Sequence, residues 1–537
     1  MTTQQSPPGL DVDLGLLKRG ALLTLVLLAF ALPLSGLTAQ SLWRDEIDAL
    51  RFSQDSLGTL LNNFRRAGWN GPLYYLVLRA WVRLAGQSAF ALRYLSLLFN
   101  ALGVALLYRL GRDWFSPRLG AVAALLMALS PYGVWYAQEA KMYAMLPPLV
   151  LAILYLYRRA LERREGRLWA AVVGGVWLLM GLHVMGVLLI PVLAALLLPW
   201  WPLVRRARQQ TVAQPGAAGQ TRAVRLLDAV WERQAVLALA LCLLPAVVAL
   251  PWAWQMLWRG GDIGHAFVSL PRMVKTMLYA FGRGVTTTGG LWPVGLVILF
   301  ALAGTLLWPN PSVPEQHELL QRALDALTGR RREIAEPAYV LLLWAWLLVP
   351  LLGLWLISTR VPMFVDRYLI WIGPALFLLL ARGYDQLRQR MPFLATLCLV
   401  VLLVLNGAAV LAQSRTPIKS DFRGAAEYIR ALRRPGEPIL FHISYVRDTF
   451  EYYFGPVMPA ADGVPTDAQT TPESVDNALR DQLAGPQGEL PPVVWLVLSE
   501  PEMWDPRGMT VAWLQEHARP DLRAEFARVS VVRYRFD

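Results

Sequence analysis

Long apolar runs decide what this sequence can become. A helix needs about 20 mostly apolar residues to cross the hydrocarbon core of a bilayer. Eleven runs fit that template, at roughly 20–38, 89–109, 118–135, 142–158, 168–183, 186–203, 235–257, 289–307, 338–357, 368–382 and 392–412. No water reaches such segments, so each must satisfy its own backbone, which a helix does. The expected fold is a polytopic α-helical membrane protein of about eleven spans, in keeping with a mean hydropathy of +0.40 over 537 residues. The first run follows Lys18-Arg19 as a signal peptide would. Only Ala39 hints at a small-residue cleavage site beyond it, so the run reads as a retained span.

Lysine and arginine set the expected orientation. With the N-terminus inside, Arg109, Arg112 and Arg118 fall in the first inner loop, and Arg158, Arg159, Arg163, Arg164 and Arg167 in the second. Residues 205–233 form the third, Arg322, Arg330, Arg331 and Arg332 mark the fourth, and Arg382, Arg388 and Arg390 the fifth. This placement accounts for much of the net charge of +13 and removes the case for a nucleic-acid partner, for which no recognition motif is present. Two long outer loops are also basic. Residues 39–88 carry Arg44, Arg51, Arg65, Arg66, Arg79 and Arg83, and residues 258–288 carry Arg259, Arg272, Lys275 and Arg283. An anionic ligand or lipid phosphates would explain them equally. The two cysteines, Cys242 and Cys398, both lie inside apolar runs, which argues against a disulfide framework.

Residues 413–537 are soluble in character and fall outside, after a membrane domain spanning 1–412. Asp421 offers an N-cap for a helix over Phe422 to Leu432. Pro438–Ile443 and Val493–Leu498 read as buried strands, Tyr445–Phe454 as a helix between them, and Val529–Phe536 as an alternating strand. The Pro-, Gly- and Asp-rich stretch Pro456–Gly488 reads as a loop. A small α/β domain is expected.

With orientation fixed, four charged sets face outward. They are Asp45-Glu46 with Asp48 nearby, the turn Gln138-Glu139-Ala140-Lys141-Met142-Tyr143, His183, and the stretch from Arg360 to Arg367-Tyr368. Charge beside a bilayer is costly, so its convergence at one depth points to a site. Carboxylates there can deprotonate an acceptor hydroxyl or hold a divalent cation. Cations can bind a phosphate whose tail lies in the bilayer. Structural readings stand beside these: Asp45-Glu46 as a helix-capping pair, Glu139 and Lys141 as partners across a turn, Tyr143 and Arg367 as interfacial anchors, His183 as a polar turn residue.

Four stretches taken together resemble the bacterial GT-C glycosyltransferases, in the branch of the protein O-mannosyltransferases and the lipid A aminoarabinose transferase. They are Trp43-Arg44-Asp45-Glu46, Gly71-Pro72-Leu73-Tyr74-Tyr75, Trp135 through Tyr143, and Arg367-Tyr368-Leu369 with Pro374. The resemblance thins over residues 205–340, and Asn70 stands where many relatives carry a histidine. It implies a multi-pass plasma-membrane enzyme with a cytoplasmic N-terminus and an extracytoplasmic C-terminus. Such an enzyme moves a sugar, with inversion, from a polyprenyl-phosphate donor to an acceptor lipid, glycan or protein hydroxyl. On that reading Asp45 is the general base, and Glu46 orients the acceptor or shares a cation. Glu139 is a supporting carboxylate, with Asp45 and Glu139 the positions for a divalent metal. Lys141, Tyr143, Arg360, Arg367 and Tyr368 bind the donor. The alternative is a lipid or glycolipid flippase, which would favour ionisable groups at mid-bilayer and duplicated halves; neither is evident in the sequence.

Overall fold

The computed structural model describes residues 14–63, 71–163, 165–195, 197, 233–248, 250, 254, 265–286, 290–307, 336–485 and 488–536. The expected features at Arg65, Arg66, Asn70, 205–232, Arg259, Arg322 and 330–332 lie outside these residues. The chain divides into two compact units: Met1–Ser35 with Ser56–Val77 and Arg93–Leu411, and Gly36–Asp55 with Leu78–Leu92 and Ala412–Asp537.

The described residues of the expected apolar runs lie mostly on helix. Ala89–Trp114, Met142–Arg163, Ala338–Ser358 and Pro392–Arg415 are long and apolar enough to cross a membrane alone. Leu22–Ser35, Gly166–Leu182, Val184–Ala195, Arg233–Val248 and Trp292–Leu306 are shorter apolar helices. The run expected over 118–135 is not one straight helix. It breaks into Pro117–Ala128 and Pro131–Ala137, bent by 60°. Ser130 and Pro131 cause the break. Proline has no N–H to continue the first helix, and the Ser130 hydroxyl accepts the Gly133 N–H at 3.2 Å to start the second.

Local chemistry explains several polar side chains in this apolar setting. Pro33 lies inside the Leu14–Ser35 helix and cannot donate to the Ala29 carbonyl; Asn100 Nδ2 donates to it instead, at 3.3 Å. Gln138 Nε2 donates to the Pro33 carbonyl at 2.8 Å. The Trp292–Leu306 and Gly373–Arg390 helices meet almost backbone to backbone. A Cβ on Gly383 would lie 1.8 Å from the Phe300 carbonyl oxygen, and one on Gly304 would lie 2.3 Å from that of Leu379. Arg382 was expected among the inner-loop cations. It is instead fully buried, and its Nη1 caps the C-terminal carbonyls of Gly304 and Leu307. A guanidinium satisfies orphan carbonyls that lipid cannot.

The second unit is an α/β fold on a five-stranded sheet. Its strands are β1 (Ile439–Phe441), β2 (Ala460–Asp462), β3 (Val493–Leu498), β4 (Ala518–Phe526) and β5 (Val529–Phe536), in the order β2-β1-β3-β5-β4. β2, β1 and β3 run parallel; β5 pairs antiparallel with β3 and β4. Phe422, Ile429, Phe441, Phe450 and Trp495 fill one core, and Leu440, Val475, Leu479, Leu496 and Trp513 the other. Asp421 caps the Phe422–Leu432 helix through the Gly424 N–H at 3.0 Å. The stretch 456–488 is not the loop its composition suggests. It holds β2 and the helix Pro472–Leu483, started by a reciprocal cap between Thr471 and Ser474.

Most of the loop expected over 39–88, with the adjoining ends of the spans expected on either side of it, belongs to this unit, as residues 36–55 and 78–92. The loop arginines show why. Arg51 pairs with Asp448, Arg79 donates to the Ser53 and Asp55 carbonyls at the end of the Arg44–Gln54 helix, and Arg44 lies 4.6 Å from the Tyr445 ring centre. These three cations thus have protein partners.

Candidate active site

The singled-out residues fall in both units. In the first, five short elements meet through a chain of rings. Phe281, on the Leu270–Arg283 helix, packs 5.2 Å from Tyr132, and Tyr132 packs 4.9 Å from Tyr136. Tyr136 lies 5.4 Å from Tyr143, Tyr143 lies 6.3 Å from His183, and His183 lies 4.7 Å from Tyr368. Tyr143 sits in a single 3-10 turn, Met142–Met145, and Tyr368 in another, Asp366–Ile372. Such aromatic pairs gain from offset and edge-on geometry beyond their buried area.

Arg367 closes this arc. Its Nε donates to the Tyr143 hydroxyl at 3.0 Å, across 224 positions of sequence, and its guanidinium carbon lies 5.6 Å from the ring centre. One bond thus joins the turn after the bent third span to the stretch before the Gly373–Arg390 helix. Tyr143 is buried, which holds the plane of the guanidinium. Arg360 is different: it is exposed after the Glu336–Ser358 helix, and among the described residues its side chain has no hydrogen bond or ion pair.

The Glu139–Lys141 turn is also buried, at 2 % and 8 % exposure. Its backbone is tied from the Ala89–Trp114 helix. Ser96 Oγ donates to the Glu139 carbonyl at 2.6 Å, and the Lys141 N–H closes back on that carbonyl at 2.9 Å. Arg93, one turn before Ser96, is 1 % exposed. A buried arginine at this position was not singled out from sequence, where it reads as one more helix cation. His183 is 1 % exposed, and its Nδ1 accepts the Met185 N–H at 3.2 Å as the cap of a 3-10 turn. In the neutral ring that bond leaves the proton on Nε2, which has no hydrogen-bond partner among the described residues. Gly71 explains part of its motif: a Cβ there would lie 2.0 Å from the Gly181 carbonyl oxygen, two residues before His183. Tyr74 and Tyr75 are packed side chains.

In the second unit, Asp45 and Glu46 lie in the first turn of the Arg44–Gln54 helix, where the helix dipole favours carboxylates. Their surroundings differ. Asp45 keeps 18 % of its side chain accessible, 3.7 Å from Arg44 Nη2. Glu46 is fully buried, and its Oε2 accepts from Lys419 Nζ at 3.1 Å and from the Trp43 N–H at 3.4 Å. Burial opposes the charge on Arg44, but Asp45, Tyr445, Asp48 and Glu500 outweigh it and raise its pKa. Burial also raises the Tyr445 phenol, against the pull of Arg44. Lys419 was not found from sequence; nothing local marks a lysine 373 positions away as the partner of Glu46.

Among the described residues no group of three or more His, Cys, Asp or Glu side chains gathers as a metal site. The two carboxylates expected to contact a cation, Asp45 and Glu139, do not by themselves provide the six or so oxygen ligands that a hard divalent ion takes.

Comparison with known proteins adds a family match over part of the chain and a fold. Residues 70–217 match the family described as dolichyl-phosphate-mannose-protein mannosyltransferase. No curated protein matches the chain. Among solved structures, ArnT from Cupriavidus metallidurans in the apo state superposes with a TM-score of 0.50 at 13% identity, covering 96% of this chain and 98% of that one. The archaeal oligosaccharyltransferase AglB from Archaeoglobus fulgidus, in complex with an inhibitory peptide and a dolichol-phosphate, gives 0.50 at 12% identity, covering 96% of this chain and 74% of that one. At such identity the likeness concerns the fold.

Proposed function

We propose that this chain, which shares the fold of ArnT and AglB, is a membrane glycosyltransferase that moves a sugar from a polyprenyl-phosphate donor to a hydroxyl of an acceptor lipid, glycan or protein on the extracytoplasmic side. The observation that carries the reading is the Arg367–Tyr143 contact within the aromatic arc. It fixes a cation among buried rings, where a lipid-linked phosphate has lost most of its water and gains most from a charged partner. The matched family and the dolichol-phosphate bound by AglB support a donor of that class.

The roles follow from chemistry. The acceptor hydroxyl oxygen attacks the anomeric carbon of the donor sugar, opposite the phosphate. Asp45 takes the hydroxyl proton. The bond between that carbon and the phosphate oxygen breaks, its electron pair leaves with the polyprenyl phosphate, and the configuration inverts. A positioned base of this kind contributes about 10²–10⁴-fold. Arg367, aligned by Tyr143, stabilises the charge that grows on the leaving phosphate, and Lys141 and Arg360 add to the positive field. Tyr368 and the adjoining rings bury the apolar face of the donor. Glu139 supports the site from its buried turn. Glu46 acts through its neighbours, since its carboxylate is enclosed.

Mass spectrometry of envelope lipids, glycans and proteins from cells with and without the chain tests this. A sugar-mass adduct that depends on the chain is expected. Labelled lipid crossing liposomes with no adduct in any fraction would instead make it a flippase.

A further inference from the structure

The Asp45 carboxylate rides on a helix that the far end of the chain holds in place. Glu46 Oε2 bridges two points at once: the Trp43 N–H at the helix start, at 3.4 Å, and Lys419 Nζ, at 3.1 Å. The pair is dry, with Glu46 and Lys419 side chains 0 % and 5 % exposed. Lys419 is gripped through its backbone as well. Gln40 Oε1 accepts the Ile418 N–H at 3.0 Å and the Lys419 N–H at 3.3 Å, while Gln40 Nε2 donates to the Thr416 and Gln413 carbonyls at 2.8 and 3.0 Å. Arg423 donates to the Thr38 and Gln40 carbonyls at 3.1 and 3.2 Å, and the Leu42 N–H donates to the Tyr453 hydroxyl at 2.6 Å. Segments 38–46 and 413–423 are thus laced together residue by residue, and the strand-free stretch on each side has little choice of register.

A buried ion pair is a poor device for stability alone. Apolar side chains of similar volume usually do as well or better, because two charges must be stripped of water. What such a pair supplies is a single geometry: a slip in either segment separates the charges. Asp45 is the next residue to Glu46 on the same helical turn, so its carboxylate inherits whatever position Glu46 is given. Arg51, paired with Asp448, pins the other end of the helix to the same unit.

We propose that Glu46 and Lys419 are positioning residues for the Asp45 base, so that the C-terminal unit sets the geometry of the proton-accepting carboxylate. The inference rests on Asp45 being that base. A misplacement of about 1 Å at a reacting group costs up to about 100-fold in rate. The effect should therefore appear in turnover and leave donor binding alone.

The test uses the full chain in proteoliposomes made from the envelope extract that supplies donor and acceptor, with undecaprenyl phosphate as the binding probe. Lys419→Met and Glu46→Gln should each lower adduct formation about 10- to 100-fold with undecaprenyl phosphate affinity unchanged. Lys419→Arg should recover most of the rate, and hydrogen exchange over residues 43–50 should rise in Lys419→Met and Glu46→Gln but not in Lys419→Arg. Should Lys419→Met fail to fold, seen as lost probe binding, Glu46→Gln and Lys419→Arg decide. Wild-type turnover in Glu46→Gln and Lys419→Met overturns the proposal, as does probe binding that falls in step with turnover in Glu46→Gln. Asp45→Asn runs beside them. If it is inactive while the pair variants are normal, only the positioning idea fails; if it is active, the assignment of the base has failed.

Discussion

The Arg367–Tyr143 contact makes a quantitative claim about donor binding. Arg367 is assigned the leaving phosphate, and Tyr143 holds its guanidinium plane through one bond of 3.0 Å. Tyr143→Phe removes that bond and keeps the ring. A hydrogen bond that involves a charged group is worth about 1.5–3 kcal/mol. Only the loss of alignment reaches the ligand, so the lower figure applies, about tenfold in affinity. Arg367→Met removes the charge-assisted phosphate contact itself, about 2–3 kcal/mol or 30- to 150-fold. Once the guanidinium is gone, the tyrosine hydroxyl has nothing to align. The double variant should therefore bind no worse than Arg367→Met, a coupling of about 1.5 kcal/mol between the two positions. The assay is undecaprenyl phosphate binding to the purified chain in nanodiscs, over a salt series. Losses that simply add, to within about 0.5 kcal/mol, would refute the aligning role. Unchanged binding in Arg367→Met would refute the phosphate contact.

Other consequences follow from packing and protonation. Gly383→Ala places a methyl 1.8 Å from a backbone oxygen, which no rotamer relieves. It should destabilise the first unit by about 3 kcal/mol, the upper end of overpacking costs, as a lowered midpoint of thermal unfolding in detergent; Gly407→Ala, with open space around its new Cβ, is the control and should be neutral or mildly stabilising. In the second unit, burial pushes the His442 imidazole below its ordinary value, although Asp505 lies 3.6 Å away and pulls it up. The neutral ring therefore contributes stability in full above about pH 6.5, and that contribution is lost as pH falls from there through the folded value. Protection from hydrogen exchange over residues 439–446, taken against the unfolded chain's rate at each pH, should fall with acid through this range in the full chain, and His442→Phe should flatten the fall.

How much of this was legible in the sequence depends on how local the cause is. Apolar runs announce helices because the hydrophobic length requirement acts on consecutive residues, and the described residues of these runs lie mostly on helix. The break at Ser130-Pro131 was written in the same few residues but was masked by the apolar residues on both sides. Strands β1, β3 and β5 were visible as apolar or alternating stretches. β2 spans three residues, and β4, Ala518–Phe526, is an edge strand too polar to stand out. In the candidate site, Tyr143, Arg367 and Tyr368 stand out in the sequence as charged and aromatic residues in turns between apolar runs, and His183 lies in another such turn. Their mutual contacts were not legible, since 224 positions separate the two ends of the central bond. The same holds for Lys419, and for Arg382, whose burial depends on a glycine crossing that only tertiary structure brings about. Glu46 is the instructive case. It shares a dipeptide with Asp45 and looks equivalent, yet one carboxylate is accessible and its neighbour is enclosed with a lysine. Sequence reports residue type; only packing separates the two environments.

The central claim is that one accessible carboxylate takes the proton as the sugar changes hands. Asp45→Asn keeps the shape of that side chain and removes its basicity. In proteoliposomes supplied with envelope donor and acceptor, the chain-dependent adduct should fall by at least about 100-fold, with undecaprenyl phosphate binding and thermal unfolding unchanged. Adduct formation at the wild-type rate by Asp45→Asn would contradict the account.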